Sequence, residues 1–371
     1  MLTLIAAVLA VLPAVWASSD HPGLEERQGR GGGARAGLER VKAQYSTALR
    51  GTFSGQCNPS NVIVRREWGN LSPAERQDYI RATRCLYNRP SQTPPDFASG
   101  ARNRLDDFVA VHIASEARVH FSPWILPFHR WFIFLYEQAL RNECGYQGGL
   151  PYMGYETYGY QDLESTAMFD GSPTSFGTNG SPAPDGCNCV GGPFSDFVTN
   201  LGPIAGGGGC TQNPQADGLG YNPRCLERKF DRTVIGNLTY ENVYDTITGF
   251  DEAKDFGLRI EQWPGGLHPT PHTAVGGAQD DIPGSPCDPW FYTHHAGLDR
   301  VWAIWQSIDY DLRTFALPPP EPYNRERQSR GWPPAERVTP QSVMYLSPAF
   351  PSITVGEVMS TTHGPLCYVY E

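Results

Sequence analysis

The sequence predicts a mainly α-helical protein with long loops and short peripheral strands, on three observations. Helix start signals or a helical apolar period mark four long segments, at 72–87, 103–119, 127–142 and 288–309. Between residues 164 and 228 the composition turns to Gly, Pro, Ser and Asn, including Gly206–Gly209. This describes a long surface excursion, too poor in apolar residues to core a second domain. The last thirty residues alternate enough for short strands only. With 40% hydrophobic and 12% aromatic residues, the 371-residue chain has the material for a real core.

Taken in order, Met1–Ala17 reads MLTLIAAVLAVLPAVWA, an apolar run ending in small residues at Val15 and Ala17. That is the pattern of a secretory signal peptide cleaved near Ala17. A membrane helix is the competing reading, but the run is short for a span of about 20 residues and is broken by Pro13. No other segment is apolar enough to cross a bilayer, so a secreted, extracellular protein without a membrane partner is expected. Residues 18–40, rich in Gly and Arg and without an apolar period, read as a flexible or processed leader.

Ser72, Pro73 and Glu75 form a capping box with Pro at the first helical position, opening a helix to about Tyr87. Over Asn103–Val119, Leu105, Phe108, Val109 and Ile113 share one helical face with His112, which therefore points inward. Pro123 and Pro127 interrupt that helix. A second one opens near Pro127 and carries His129, Trp131, Phe132, Leu135 and Leu140 to about Asn142. His120 is left at the helix end or in the connecting turn. Thr239–Tyr244 and Asp251–Phe256 are short helical candidates, and Asp288 with Pro289 opens a helix to about Asp309. Pro318–Pro340 excludes a further long helix.

Nine cysteines in a secreted chain imply disulfides, with one thiol left over. Cys187, Cys189, Cys210 and Cys225 lie in the long excursion, so local stapling of a loop covering an active-site mouth is expected. A cysteine metal site is the alternative, without a paired CxxC in its favour. Asn70, Asn179 and Asn237 open N-x-S/T sequons, which are surface glycan acceptors on a secreted chain. The net charge of -10 and the absence of a Lys/Arg stripe exclude a nucleic-acid partner and favour a small-molecule substrate.

Six of the nine histidines fall into two groups of three. His112, His120 and His129 follow the spacing H-x7-H-x8-H, and His268, His272 and His295 form the second group. Two imidazole triads without an obvious carboxylate ligand suit a pair of copper ions better than calcium, magnesium or a di-iron carboxylate centre. His268 and His272 are four apart, on one face of a helical turn that Pro269 and Pro271 confine to a helix start. His294 and His295 are adjacent, about 100° apart on a helix, and periodicity does not choose between them. Asp299, one turn beyond His295, has two readings: a carboxylate orienting an imidazole, or an ordinary ion pair with a nearby arginine such as Arg300.

FSPWILPFHRWFIFLYE and DPWFYTHHAGLDRVWAIWQ resemble the CuA and CuB segments of type 3 copper proteins, the tyrosinases, catechol oxidases and haemocyanins. The resemblance covers about residues 60–371 and is dense at these two segments. It implies a four-helix-bundle dicopper core, with His112, His120 and His129 at CuA and His268, His272 and His295 at CuB. The second histidine of the pair is taken, leaving His294 as a neighbour. Cys367-Tyr368-Val369-Tyr370 resembles the Tyr-x-Tyr motif that closes the catalytic domain in many tyrosinases. Residues 41–371 are therefore expected to be a single tyrosinase-like catalytic domain without a C-terminal shielding domain, as in short secreted fungal tyrosinases.

Two departures from the family pattern bear on activity. Where several relatives carry a Cys joined to the second CuA histidine by a thioether, this chain has Arg118, so no such link is expected from that position. Many tyrosinases place Asn directly after the first CuB histidine, where with an upstream Glu it helps hold a water that deprotonates monophenols. Here the position is Pro269, which brings no hydrogen-bonding side chain, even if Glu261 fills the Glu role rather than pairing with Arg259. The resemblance thus implies a copper-dependent catechol oxidase that uses O2 to oxidise o-diphenols, and o-aminophenols, to o-quinones. The alternatives are a tyrosinase with substantial monophenol hydroxylase activity and, more remotely, a haemocyanin-like oxygen carrier.

Overall fold

The computed structural model describes residues 22–49, 52–204 and 210–371; the expected signal segment, 1–17, and Gly206–Gly209 lie outside them. The helices are α1 (Pro22–Ala48), α2 (Pro73–Tyr87), α3 (Arg104–Val119), α4 (Ile125–Cys144), α5 (Tyr155–Tyr158), α6 (Arg232–Ile235), α7 (Tyr240–Thr248), α8 (Ala253–Glu261), α9 (Pro269–Val275), α10 (Trp290–Ile308), α11 (Tyr310–Arg313) and α12 (Asn324–Ser329). Eight short strands pair two by two: β1 (Ile63–Arg65) runs parallel to β8 (Tyr368–Tyr370). The antiparallel pairs are β2 (Gly180–Pro182) with β3 (Asn188–Val190), β4 (Val198–Thr199) with β5 (Arg224–Cys225), and β6 (Val343–Met344) with β7 (Ile353–Thr354).

The four long helices the sequence signals, α2, α3, α4 and α10, start within two residues of the expected positions. At α2 the Ser72 side chain accepts from Glu75 N–H and the Glu75 carboxylate accepts from Ser72 N–H. Asn103 and Asp106 repeat the arrangement at α3. α4 stops at Gly145, whose φ of 66° is the left-handed turn that glycine tolerates. At α10 the Trp290 N–H donates to Asp288 Oδ1 at 3.0 Å. From Trp290 to Ser307 every residue of α10 is buried, which makes it the central helix, with α1 and α4 packed against it. No helix among the described residues is long and apolar enough to cross a membrane.

Helix α1 occupies residues where a flexible leader is expected over 18–40. Leu38, Val41 and Tyr45 recur at helical spacing and are buried, and Gly37 lets the Tyr244 ring of α7 come so close that a Cβ would lie 2.6 Å from it. The glycine-rich composition hides this helix because its stability comes from packing on α7 and α10, not from intrinsic propensity.

Asp299 does pair with arginine, as one of its two sequence readings has it, but with Arg130 and Arg65 rather than Arg300. Its Oδ1 accepts from Arg130 Nε at 2.5 Å, and its Oδ2 accepts from the hydroxyls of Tyr368 and Tyr370, each at 2.6 Å. Arg300 pairs instead with Glu156 at 3.0 Å. The Tyr-x-Tyr motif reaches Asp299 because β8 lies beside β1, whose Arg65 pairs with Glu137 of α4 at 2.7 Å. This buried network ties both flanks of the chain to α4 and α10, and the Cys57–Cys367 disulfide closes it from outside.

The long excursion is stapled as expected by Cys187–Cys210 and Cys189–Cys225, while Cys85–Cys144 joins α2 to α4 and Cys287 is a buried free thiol. The joined sulfurs of Cys187 and Cys210 are not a metal ligand pair. The excursion is not mere surface, since Met168, Phe176, Phe194, Phe197 and Leu201 are buried in the main core. Arg228 anchors its end by a buried pair of hydrogen bonds, 2.7 and 2.8 Å, to Asp288 at the start of α10.

Candidate metal centre

The first histidine group is assembled by a break between two helices. α3 carries His112 on its core face and ends with His120 in extended conformation, φ -87° and ψ 149°. Phe121 follows with φ 47°, a left-handed conformation that bulky residues rarely adopt and that surrounding contacts must impose. Those contacts are present: Glu261 Oε1 accepts the Phe121 N–H at 2.6 Å, and Arg327 of α12 donates to the carbonyls of His120 at 3.0 Å and Ala117 at 2.6 Å. The chain then enters α4, whose first turns deliver His129. One ring nitrogen from each of His112, His120 and His129 lies within 4.8 Å of the others.

The second group is built from α9 and α10. His268 stands at the N-cap of α9, its N–H donated to the Ile260 carbonyl at 3.0 Å, and His272 follows one turn later. With His294 and His295 of α10 they bring four ring nitrogens within 4.8 Å of one another. The two groups face each other: the His129 ring stacks on His295 with centroids 4.2 Å apart, and His120 stacks on His268 at 5.4 Å. Four helices, α3, α4, α9 and α10, thus supply one joint centre.

The adjacent pair divides its roles. His295 Nε2 lies 3.4 Å from His272 Nε2 and its ring faces His129. His294 is turned towards Tyr155, whose hydroxyl lies 2.7 Å from His294 Nδ1, and its ring stacks on Trp290.

Hydrogen bonding shows what the first group presents inward. His112 Nδ1 faces the Pro283 carbonyl at 2.8 Å and His129 Nδ1 faces the Ile125 carbonyl at 2.7 Å. Carbonyls only accept, so both Nδ1 atoms carry the proton and both Nε2 atoms offer lone pairs. These two Nε2 atoms are 3.2 Å apart, a repulsive approach that a shared cation relieves. Nε2 of His120 and of His268 is likewise buried without a partner. Burial pushes His112 down to about 3 and holds His129, His268, His272 and His295 well below the ordinary histidine value, so they stay neutral. Burial also pulls His120 down, but the Glu116 carboxylate outweighs it and the net shift is upward. A buried set of imidazole donors without a carboxylate among them fits a pair of copper ions.

Several residues of the centre escaped the sequence reading. Phe291 lies against His112, His272 and His295 as an apolar wedge between the groups. Glu116, four residues after His112 and four before His120, touches the latter's ring. Its helical spacing was the available signal; for Arg327 and Tyr155, brought in from distant segments, there was none.

A cleft of about 920 Å³ opens over the centre, and Phe121, Glu261, Trp263, Pro269 and Arg330 are among its walls. None of the described residues of 164–228 lines it, against the expectation that the cysteine-stapled loop covers the mouth: the described part of that loop packs on α2 and the start of α10 instead. Trp263 stands at the rim, 54% exposed. Arg118 is turned away, paired with Glu336 at 2.6 Å.

Glu261 does not pair with Arg259, whose guanidinium bonds Asn242. One oxygen takes the Phe121 N–H and the other, Oε2, is buried without a partner. Burial pushes this carboxyl up to about 8, against the opposing pull of His120 and the Phe121 N–H. The folded state therefore holds the proton after the unfolded chain, with its ordinary value of 4.5, has lost it. In the copper-free protein, the stability of the wild type relative to Glu261→Gln is expected to be constant below about pH 4.5 and to fall as pH rises towards 8. Urea denaturation midpoints of both proteins across that range check this; parallel curves would refute it.

Comparison with known proteins adds the following. Residues 102–308 match the family described as the common central domain of tyrosinase. Tyrosinase P of Aspergillus terreus is 34% identical over 363 residues, 90% of this chain and 98% of that protein. The N-acetyl-6-hydroxytryptophan oxidase of Emericella nidulans is 34% identical over 353 residues, 85% of this chain and 94% of that protein. Among solved structures, a mutant polyphenol oxidase from Thermothelomyces thermophila superposes with a TM-score of 0.77 at 35% identity, covering 94% of this chain and 98% of that one.

Proposed function

The chain belongs to the tyrosinase family of type 3 copper proteins, and from that premise we propose that it is an oxidase of o-diphenols, yielding o-quinones, and of o-aminophenols, yielding o-quinone imines. His112, His120 and His129 hold one copper and His268, His272 and His295 the other. When bound, the copper pair supplies O2 binding and the acceptance of two electrons from the phenol. The protein holds six imidazoles in fixed orientation, with Nδ1 of His112 and His129 locked on backbone carbonyls. Phe291 and the surrounding buried aromatics keep water from the inner face, and the cleft, whose wall includes Pro269 directly after His268, receives the substrate ring.

Pro269 carries the choice of substrate. It stands in the cleft wall directly after His268, and it offers no side-chain donor or acceptor. A water on the free Glu261 Oε2 therefore has a single side-chain holder, which disfavours removal of the proton from a monophenol. O2 uptake on matched o-diphenol and monophenol substrates tests this: the o-diphenol is expected to turn over at least about tenfold faster, on the scale of one positioned proton-transfer group. Pro269→Asn is expected to narrow that ratio. Rapid monophenol turnover by the wild type without a lag would overturn the reading in favour of a tyrosinase with hydroxylase activity.

One observation supports a second substrate class. The relative from Emericella nidulans is named for N-acetyl-6-hydroxytryptophan, a fused bicyclic phenol, and a cleft of about 920 Å³ beside the exposed Trp263 has room for such a ring system. A hydroxyindole belongs in the substrate panel, and no turnover above background would remove this class. Four disulfides and the exposed sequon at Asn70 support secretion. Recovery of the chain from cells only, never from the medium, would contradict it.

A further inference from the structure

We propose that Glu116 is a positioning residue that fixes His120 and sets the strength of the first copper site; this rests on the dicopper reading above. His120 is the only member of its group not carried inside a helix. Its backbone is anchored by Arg327, but a backbone anchor leaves χ rotation of the ring free. Glu116, one turn earlier on α3, supplies what remains: the His120 Nδ1 hydrogen bond goes to its carbonyl at 3.3 Å, and its Oε2 lies 2.8 Å from the same nitrogen as an ion-pair contact, off the hydrogen-bond direction and with no other partner. No lysine or arginine among the described residues forms an ion pair with Glu116, so its negative charge is directed to the imidazole. The titratable and charged groups facing it from other elements are Arg330, which follows α12, Glu261 at the end of α8, and Asp281, none within ion-pair distance.

The contrast with the other ligands gives this contact its meaning. His112 and His129 rest on neutral backbone carbonyls, and no carboxylate among the described residues lies within hydrogen-bond reach of any of the other five. A carboxylate on Nδ1–H orients an imidazole and makes its other nitrogen a stronger donor than a carbonyl does, and losing such a partner typically lowers metal affinity by about 10- to 100-fold. The ligand with the least backbone support therefore has the strongest side-chain support. Glu116 touches neither substrate nor metal and acts only through His120.

The test uses the copper-loaded enzyme. Wild type and Glu116→Gln, which keeps shape and an acceptor oxygen but loses the charge, are titrated with a competing chelator while bound copper is counted and far-UV circular dichroism reports the fold. For Glu116→Gln we expect an unchanged fold, one ion released at about 10- to 100-fold lower chelator than in the wild type, and the other released at the wild-type midpoint. Two ions released at wild-type midpoints would overturn the proposal. If the Gln variant does not fold, Glu116→Asp, which retains the charge at shorter reach, is compared with the wild type: weaker retention of one ion is expected, and wild-type retention overturns the proposal. A wild type that never binds two ions would instead defeat the dicopper reading itself.

Discussion

Asp299→Ala is expected to destabilise the protein by about 3–5 kcal/mol, the usual consequence of leaving a buried charge without its partner. Arg130 is fully buried, and among the described residues Asp299 is its only carboxylate partner; what would remain are the carbonyls of Val358 and Met359 and the side chain of Gln306, none of which carries charge. The same substitution strips two buried tyrosine hydroxyls of their acceptor. Arg65 keeps its Glu137 contacts at 2.7 and 3.3 Å, which is why the loss falls chiefly on Arg130. Urea unfolding at unchanged m-value measures the effect. As a scale, Lys254→Ala, which breaks an exposed pair with Glu252, is expected to leave stability almost unchanged. Equal losses in the two variants would mean that the network around Asp299 does not hold β8 to the helices.

His295→Ala and His294→Ala are expected to separate sharply although the residues are neighbours. His295 faces His272 Nε2 and the His129 ring, so its loss opens the second group towards the first. One copper ion should be lost, and with it the electrostatic stabilisation a metal gives the reacting oxygen, worth several kcal/mol. O2 uptake on an o-diphenol should then fall by about three orders of magnitude or more. His294 is held by Tyr155 and stacked on Trp290, so His294→Ala should keep two ions and lose mainly packing. Copper analysis with initial rates on both variants decides the matter. If His294→Ala were the variant that lost an ion, the assignment of the second site would be reversed.

The helices and the histidine groups were legible because their determinants are local. Ser72 with Glu75 and Asn103 with Asp106 announce helix starts within four residues, and the apolar face around His112 fixes its direction. Pro123 and Pro127 mark the break that frees His120 to turn inward. What was hidden depends on residues far apart in the chain. Asp299 has its partners 169, 69 and 71 residues away, and no spacing rule connects them. The leader's helix gains its stability from α7 and α10, and the buried phenylalanines of the long excursion follow no period because each is set by its own turn. Between His294 and His295 the helical angle was known from the sequence, but which of the two directions faces the first group depends on how α10 packs against α4.

The account stands most directly on one measurement: copper content per chain after loading, made on the same preparation whose O2 uptake and quinone formation are followed with catechol. It predicts two copper ions per chain and quinone formed in step with oxygen consumed. Fewer than one ion per chain would contradict the metal centre, and two ions with reversible oxygenation but no quinone would contradict the oxidase.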